Sequence, residues 1–208
     1  MIKTSPIRGD FPSLKLGRMV RYNSTIERDL LYFLEYRESV IWYKEQPLTI
    51  EWQQPDGQTR HYTPDYEIHK RHTKFIAECK PEAKLHGTHA TQQRQIGEAW
   101  CEVNGYHFVT YTDTELRTGH MLENLKLLWR YARLKNAHVL RKRILEASSL
   151  DTGSVTVSQL SQGLGLPLEE VIPIVCYLMF HHELRMDMNQ PFSLATVLTH
   201  KEQNHGTH

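Results

Sequence analysis

The residues best placed to do chemistry lie in Tyr62-Thr63-Pro64-Asp65-Tyr66-Glu67-Ile68 and, after a basic turn, in Lys74-Phe75-Ile76-Ala77-Glu78-Cys79-Lys80. Two runs of β-branched and aromatic residues flank Lys70-Arg71-His72-Thr73, a pattern that predicts a hairpin. Side chains two apart on a strand share a face, so Glu78 and Lys80 point one way and Cys79 the other. With Asp65 facing them across the hairpin, two carboxylates and an ammonium converge on a small volume. That is costly unless a hard cation neutralises the acids. The chemistry such a group supports is metal-assisted phosphodiester hydrolysis, which needs a nucleophilic water, charge stabilisation at phosphorus and help for the departing oxygen. Asp65 and Glu78 are then the candidate metal ligands. Lys80 orients the water and the phosphate, and its acidic neighbours favour the ammonium form.

The elements around the hairpin must position these groups. Asn23-Ser24-Thr25 precedes Ile26, Leu30, Leu31 and Leu34 at helical spacing, and Ser24 with Glu27 three residues on fits a capping box. Glu27 thus has two readings, a cap and a third acid for the metal. Extended segments follow at Val40-Ile41-Trp42-Tyr43 and Pro47-Leu48-Thr49-Ile50-Glu51-Trp52, the latter turning through Pro55-Asp56-Gly57 to pair with the strand carrying Asp65. Pro64 marks either a strand boundary or an irregularity that turns Asp65 toward a cleft.

Beyond Pro81 a helix is predicted over 88–103, with Ile96, Ala99, Trp100 and Val103 as its inner face and Gly105 as its stop. Lys84, Gln93 and Arg94 are candidates to face a polyanion, as are Lys70, Arg71 and Lys74 at the hairpin turn; a solvated face is the alternative. A strand over 106–111 and a long helix over 116–134 complete an α/β pattern, a mixed sheet with helices on its faces.

Composition narrows the class. The chain has 208 residues, a formal net charge of +1, and an odd set of three cysteines without zinc-binding spacing. We read the cysteines as reduced thiols and expect a cytosolic protein. No apolar run approaches the roughly 20 residues that span a bilayer, and no apolar signal core opens the chain, so no membrane partner is expected. Residues 1–22 carry Lys3, Arg8, Lys15, Arg18 and Arg21 against Asp10 and read as a basic arm.

Asn136-Ala137 is the expected boundary between a domain over 23–135 and a small winged-helix-like domain over 136–198, with a frayed tail over 199–208. Its helices are expected over 138–147, after a cap at Ser158, and over 168–183, and Leu184-Arg185-Met186 is expected to pair with Phe192-Ser193-Leu194. The third helix begins Leu-Glu-Glu and carries no lysine or arginine before Arg185, which favours a protein-binding role over a major-groove one.

Pro64-Asp65 followed by Glu78-Cys79-Lys80 resembles the PD-(D/E)xK motif of restriction-endonuclease-like nucleases. With the Glu27 helix, Tyr43-Lys44-Glu45-Gln46-Pro47-Leu48 and Arg60-His61-Tyr62-Thr63-Pro64-Asp65-Tyr66, the order and spacing resemble the TnsA endonuclease subunit of heteromeric transposons over residues 20 to 135. The resemblance implies a restriction-endonuclease-like fold and an enzyme that nicks the 5′ ends of a transposable element in duplex DNA. It implies Mg²⁺, with Mn²⁺ as a substitute, held by Asp65, Glu78, Glu27 and the backbone carbonyl of Cys79, with Lys80 beside it. It also implies a TnsB-like DDE transposase and a TnsC-like AAA+ ATPase as partners. Some relatives carry glutamine where this chain has Glu78. A stand-alone nuclease of the same fold and a non-catalytic adaptor bridging DNA and an ATPase are the alternatives.

Overall fold

The computed structural model describes residues 7–53, 57–135, 138–148 and 154–200. The chain divides into two compact units, Met1–Thr118 and Gly119–His208. In the first, β1 (Gly9–Pro12) and β2 (Met19–Tyr22) form an antiparallel ribbon. The predicted basic arm is therefore a folded ribbon from Gly9 onward, because Phe11 and Val20 are buried and the ribbon packs on α1 (Thr25–Tyr36), with the Phe11 and Tyr32 rings edge-to-face at 5.1 Å. The buried Glu35 carboxylate accepts from Ser13 Oγ at 2.5 Å, from the Leu14 and Lys15 amides and from Tyr43 OH, which satisfies a charge that burial alone would penalise.

The main sheet has the order β3-β6-β7-β8, with β3 (Val40–Glu45), β6 (Tyr66–Lys70) and β7 (Lys74–Lys80) antiparallel neighbours and β8 (His107–Thr112) parallel to β7. It is a mixed sheet. Its parallel step needs a crossover, which α2 (Thr88–Asn104) supplies after a short 3₁₀ turn at Glu82–Lys84. Gly105, at φ 74°, ends the helix in the left-handed conformation that favours glycine. A separate two-stranded sheet pairs β4 (Ile50–Gln53) with β5 (Thr59–Tyr62). The expected pairing is present, although residues 54–56 of its turn lie outside the described residues. The expected continuous strand is not: β5 stops at Tyr62, and Thr63, Pro64 and Asp65 carry the chain from one sheet to the other.

The inner face of α2 differs from the predicted one. Only Gly97 and Cys101 are buried, one turn apart, while Ile96, Ala99, Trp100 and Val103 line an open groove with Ile50 and Trp52. The cause is small side chains: a Cβ at Gly97 would collide with the Phe108 ring, so the helix and the sheet meet at a distance only glycine permits.

The predicted helix over 116–134 is two helices, α3 (Asp113–Arg117) and α4 (Met121–Tyr131), separated at Gly119, whose φ of 73° breaks the run. Arg117 ties α3 to α1 through Asp29 Oδ2 at 2.8 Å and Thr25 Oγ1 at 2.9 Å.

The second unit packs α4 against α7 (Leu168–Phe180) and adds α5 (His138–Ser148), α6 (Val157–Leu164) and a three-stranded sheet in the order β10-β11-β9, formed by Leu184–Arg185, Val197–His200 and Ser154–Thr156. Thr156 rather than Ser158 caps α6, in a reciprocal box with Gln159. The strand facing Leu184 is β11 rather than 192–194, because Asn124 holds the intervening loop by bonding the Met188 and Gln190 carbonyls and the Phe192 amide. Thr199 and His200, expected in the tail, are part of that strand. Among the described residues no helix is long and apolar enough to cross a membrane.

Candidate active site

The β6–β7 hairpin has the expected register, Tyr66 opposite Ala77 and Glu67 opposite Ile76, closed by Lys70 N donating to Thr73 O at 2.8 Å. Extending that register by one residue sets Asp65 opposite Glu78, and opposed residues share a face. Two contacts fix Asp65. Its Oδ2 accepts from the Cys79 amide at 2.7 Å, and its carbonyl accepts from the Gln46 amide at 2.8 Å. Gln46 sits at φ 42°, in the left-handed region that non-glycine residues seldom enter, so the Gln-Pro-Leu link is bent to meet the backbone of Asp65.

Glu78 is buried near the end of β7, with Oε1 2.7 Å from Lys80 Nζ and Oε2 accepting from Tyr62 OH at 2.6 Å. Burial, then the charge of Glu78, pushes the Tyr62 phenol far up, so it acts as a hydrogen-bond donor. Glu27 enters from the first turn of α1. Its amide donates to the Ser24 hydroxyl at 3.1 Å and its Oε2 accepts from the Asn23 amide at 2.8 Å. Capping is thus real, and the carboxylate lies within electrostatic reach of Glu78 and Asp65.

The three acids interact electrostatically. Burial, then Glu78 and Glu27, pushes the Asp65 carboxyl up to about 8, against the pull of the Cys79 amide and Lys80. Glu27 is raised by burial, with a further contribution from Glu78. The Cys79 thiol is held well above its ordinary value by burial and by the same acids, so it stays neutral and leaves only its main chain for any ligand role. Oxygen donors crowded by like charge suit a hard divalent cation, which removes the repulsion that burial amplifies. Among the described residues, however, no three His, Cys, Asp or Glu side chains are gathered to hold a metal ion as they stand. Glu78 is drawn to Lys80 and Tyr62 and Glu27 to Asn23, so ligation by all three requires side-chain rotation.

A cavity of about 150 Å³ adjoins this group, floored by Glu78, Lys80, Phe108 and Thr110 and roofed from α2 by Gln93 and Arg94, with His86 and Leu85 at its side. Two of the six candidate DNA contacts, Gln93 and Arg94, therefore line the cavity beside Glu78 and Lys80. Lys84 is exposed on the 3₁₀ turn and does not line the cavity. Lys70, Arg71 and Lys74 are at the other end of the hairpin, about 20 Å along β7 from Lys80 at strand rise. There Lys70 lies over the Phe75 ring and Lys74 over Tyr106, while Arg71 is exposed. Sequence reasoning missed Tyr62, Gln46, Thr110 and Phe108 as site-forming residues. Tyr62 alone left a signal, an aromatic three residues before the aspartate.

The site thus consists of a mixed four-stranded sheet with buried Glu78, half-buried Asp65 and Lys80 at the end of an antiparallel hairpin. Residues 37–113 match the family model described as TnsA-like endonuclease N terminal, which supports a TnsA-type, restriction-endonuclease-like protein. The match contains Asp65, Glu78 and Lys80 and begins after Glu27. No curated protein matches the chain.

Proposed function

We propose that the chain is a Mg²⁺-dependent DNA endonuclease that nicks the 5′ ends of a transposable element, working with a DDE transposase and an AAA+ ATPase. The observation that carries this reading is the convergence of Asp65, Glu78 and Lys80 inside the TnsA-like region, with Lys80 Nζ 2.7 Å from Glu78. Asp65, Glu78, Glu27 and the Cys79 carbonyl would hold the cation. When bound, Mg²⁺ or Mn²⁺ supplies Lewis acidity and neutralises the acids.

The chain's own groups do the rest. The Cys79 and Gln46 amides lock Asp65, and Tyr62 holds one oxygen of Glu78 in place. The Lys80 ammonium donates to a non-bridging phosphate oxygen and stabilises the charge that builds there. Water oxygen forms the new bond to phosphorus, the bond from phosphorus to the bridging oxygen breaks with its electron pair, and the proton lost by the water balances the one the departing oxygen takes up. In the second unit, the arrangement of α5, α6 and α7 with the β10-β11-β9 sheet supports a winged-helix reading. The Glu169 and Glu170 start of α7 supports an ATPase or transposase partner for it rather than a DNA groove.

End-labelled transposon-end duplex, incubated with the full chain, its partners and Mg²⁺, tests this. Asp65→Ala and Lys80→Ala should each cut the 5′ strand at least about 10²-fold more slowly while assembling normally. Cleavage at the wild-type rate in either variant sinks the site assignment. A wild-type chain that assembles but never cuts is the adaptor instead.

A further inference from the structure

We infer that the groove between the β1–β2 ribbon and β3 seats the phosphate backbone of the DNA strand beside the cut, with Arg21 and Lys44 as its cations. The inference rests on the nuclease reading and deepens it. The groove holds about 640 Å³ and adjoins the acids: its wall includes Asn23 and Gln46, whose main-chain amides hold Glu27 Oε2 and the Asp65 carbonyl. Lys44 lies on the face of the sheet that carries the site. It stands opposite Glu67, and Glu67 opposite Ile76; opposed residues share a face, so Lys44 shares the face of Glu78 and Lys80. β3 is two strands from β7, about 10 Å at ordinary strand spacing. Each strand of a duplex carries a phosphate per about 3.4 Å of axis, so a phosphate about three nucleotides from the cut comes to Lys44.

The charges of the groove suit a polyanion. Glu45 is neutralised, because Arg18 donates to both of its oxygens at 2.7 Å and so pins β2 to β3. Arg21 is not tied in this way. Its guanidinium stands 3.9 Å from Asp10, outside hydrogen-bonding range, and both side chains are more than half exposed, where such a pair contributes little. Lys44 is exposed, and among the described residues no acid pairs with it. The side-chain amides of Asn23 and Gln46 likewise have no hydrogen-bond partner among the described residues. Two uncommitted cations and two amide donors around an open groove match phosphate oxygens, which only accept.

Fluorescence anisotropy of a labelled duplex with the full chain in Ca²⁺, over a range of salt, tests the groove without cleavage. Lys44→Ala and Arg21→Ala should each weaken binding about fivefold to tenfold near about 0.1 M salt and lower the salt slope by about 1, whereas Lys44→Arg keeps both. Asp10→Asn removes an acid and releases Arg21, so it should tighten binding by up to about fivefold. All three residues are exposed, so melting temperatures should match wild type. Unchanged affinity and slope in the Arg21→Ala, Lys44→Ala double variant overturns the inference, as does weaker binding with an unchanged slope, or an equal loss in Lys44→Arg. A wild-type chain that binds no duplex overturns it too. Cleavage by wild type with its partners and Mg²⁺, run alongside, decides the nuclease reading separately. Cutting with unchanged slopes overturns the groove contact alone, and the predicted slopes without cutting support that contact and overturn the nuclease reading.

Discussion

Asp65 bears the electrostatic strain of the site, and that strain is measurable as a pH dependence. In the metal-free protein its carboxyl is raised to about 8, whereas in an unfolded chain an aspartate titrates near about 3.9. Between those values the native state binds the extra proton. Stability therefore falls as pH rises from about 4 to about 8 and levels off above it. Glu27, also raised, adds a contribution of the same sign. Asp65→Asn removes the larger part, so in EDTA the variant should melt increasingly above wild type between pH 5 and pH 8. Parallel melting curves over that range would contradict the coupling. Tyr62 gives a second handle. Its hydroxyl donates to buried Glu78 at 2.6 Å, so Tyr62→Phe should cost about 1 to 3 kcal/mol in urea unfolding and loosen the one acid that also holds Lys80.

At the scale of elements, the critical distance is that between α2 and β8. Gly97→Ala gains up to about 1 kcal/mol of helix propensity, but its Cβ meets the Phe108 ring, and overpacking of this kind costs about 1–3 kcal/mol. The expected result is a net loss of stability in denaturant titration together with slower cleavage, since Phe108 is pushed toward the cavity. A more stable, fully active variant would show that the contact is slack. This contact was illegible in the sequence. The β6–β7 hairpin and the α1 cap could be read because alternation and Ser24-to-Glu27 spacing are local signals. Gly97 and Cys101 carry no hydrophobic periodicity, and the apolar stripe beside them advertised the wrong face. The β1–β2 ribbon was hidden in the same way, its count of basic residues masking the buried pair Phe11 and Val20. The partner of β10 was missed because Asn124, some sixty residues upstream, decides where the intervening loop runs.

For the whole molecule, all four site residues, their hydrogen-bond partners and the family match fall within Met1–Thr118. Asp65, Glu78 and Lys80 were legible as a motif, but the hydrogen bonds that hold them were not, because the Gln46 amide and the Tyr62 hydroxyl act through tertiary contacts that no spacing rule encodes. A chain ending at Thr118 should therefore keep a cooperative thermal transition by circular dichroism; a non-cooperative melt would mean that the first unit cannot hold the site alone. The central claim is that the coupled acids form a cation centre, and Mn²⁺ titration of the full chain by calorimetry addresses it most directly. The account predicts saturable binding that releases protons below pH 8 and is lost in Asp65→Ala. No saturable heat in wild type, or the same isotherm in Asp65→Ala, would contradict it.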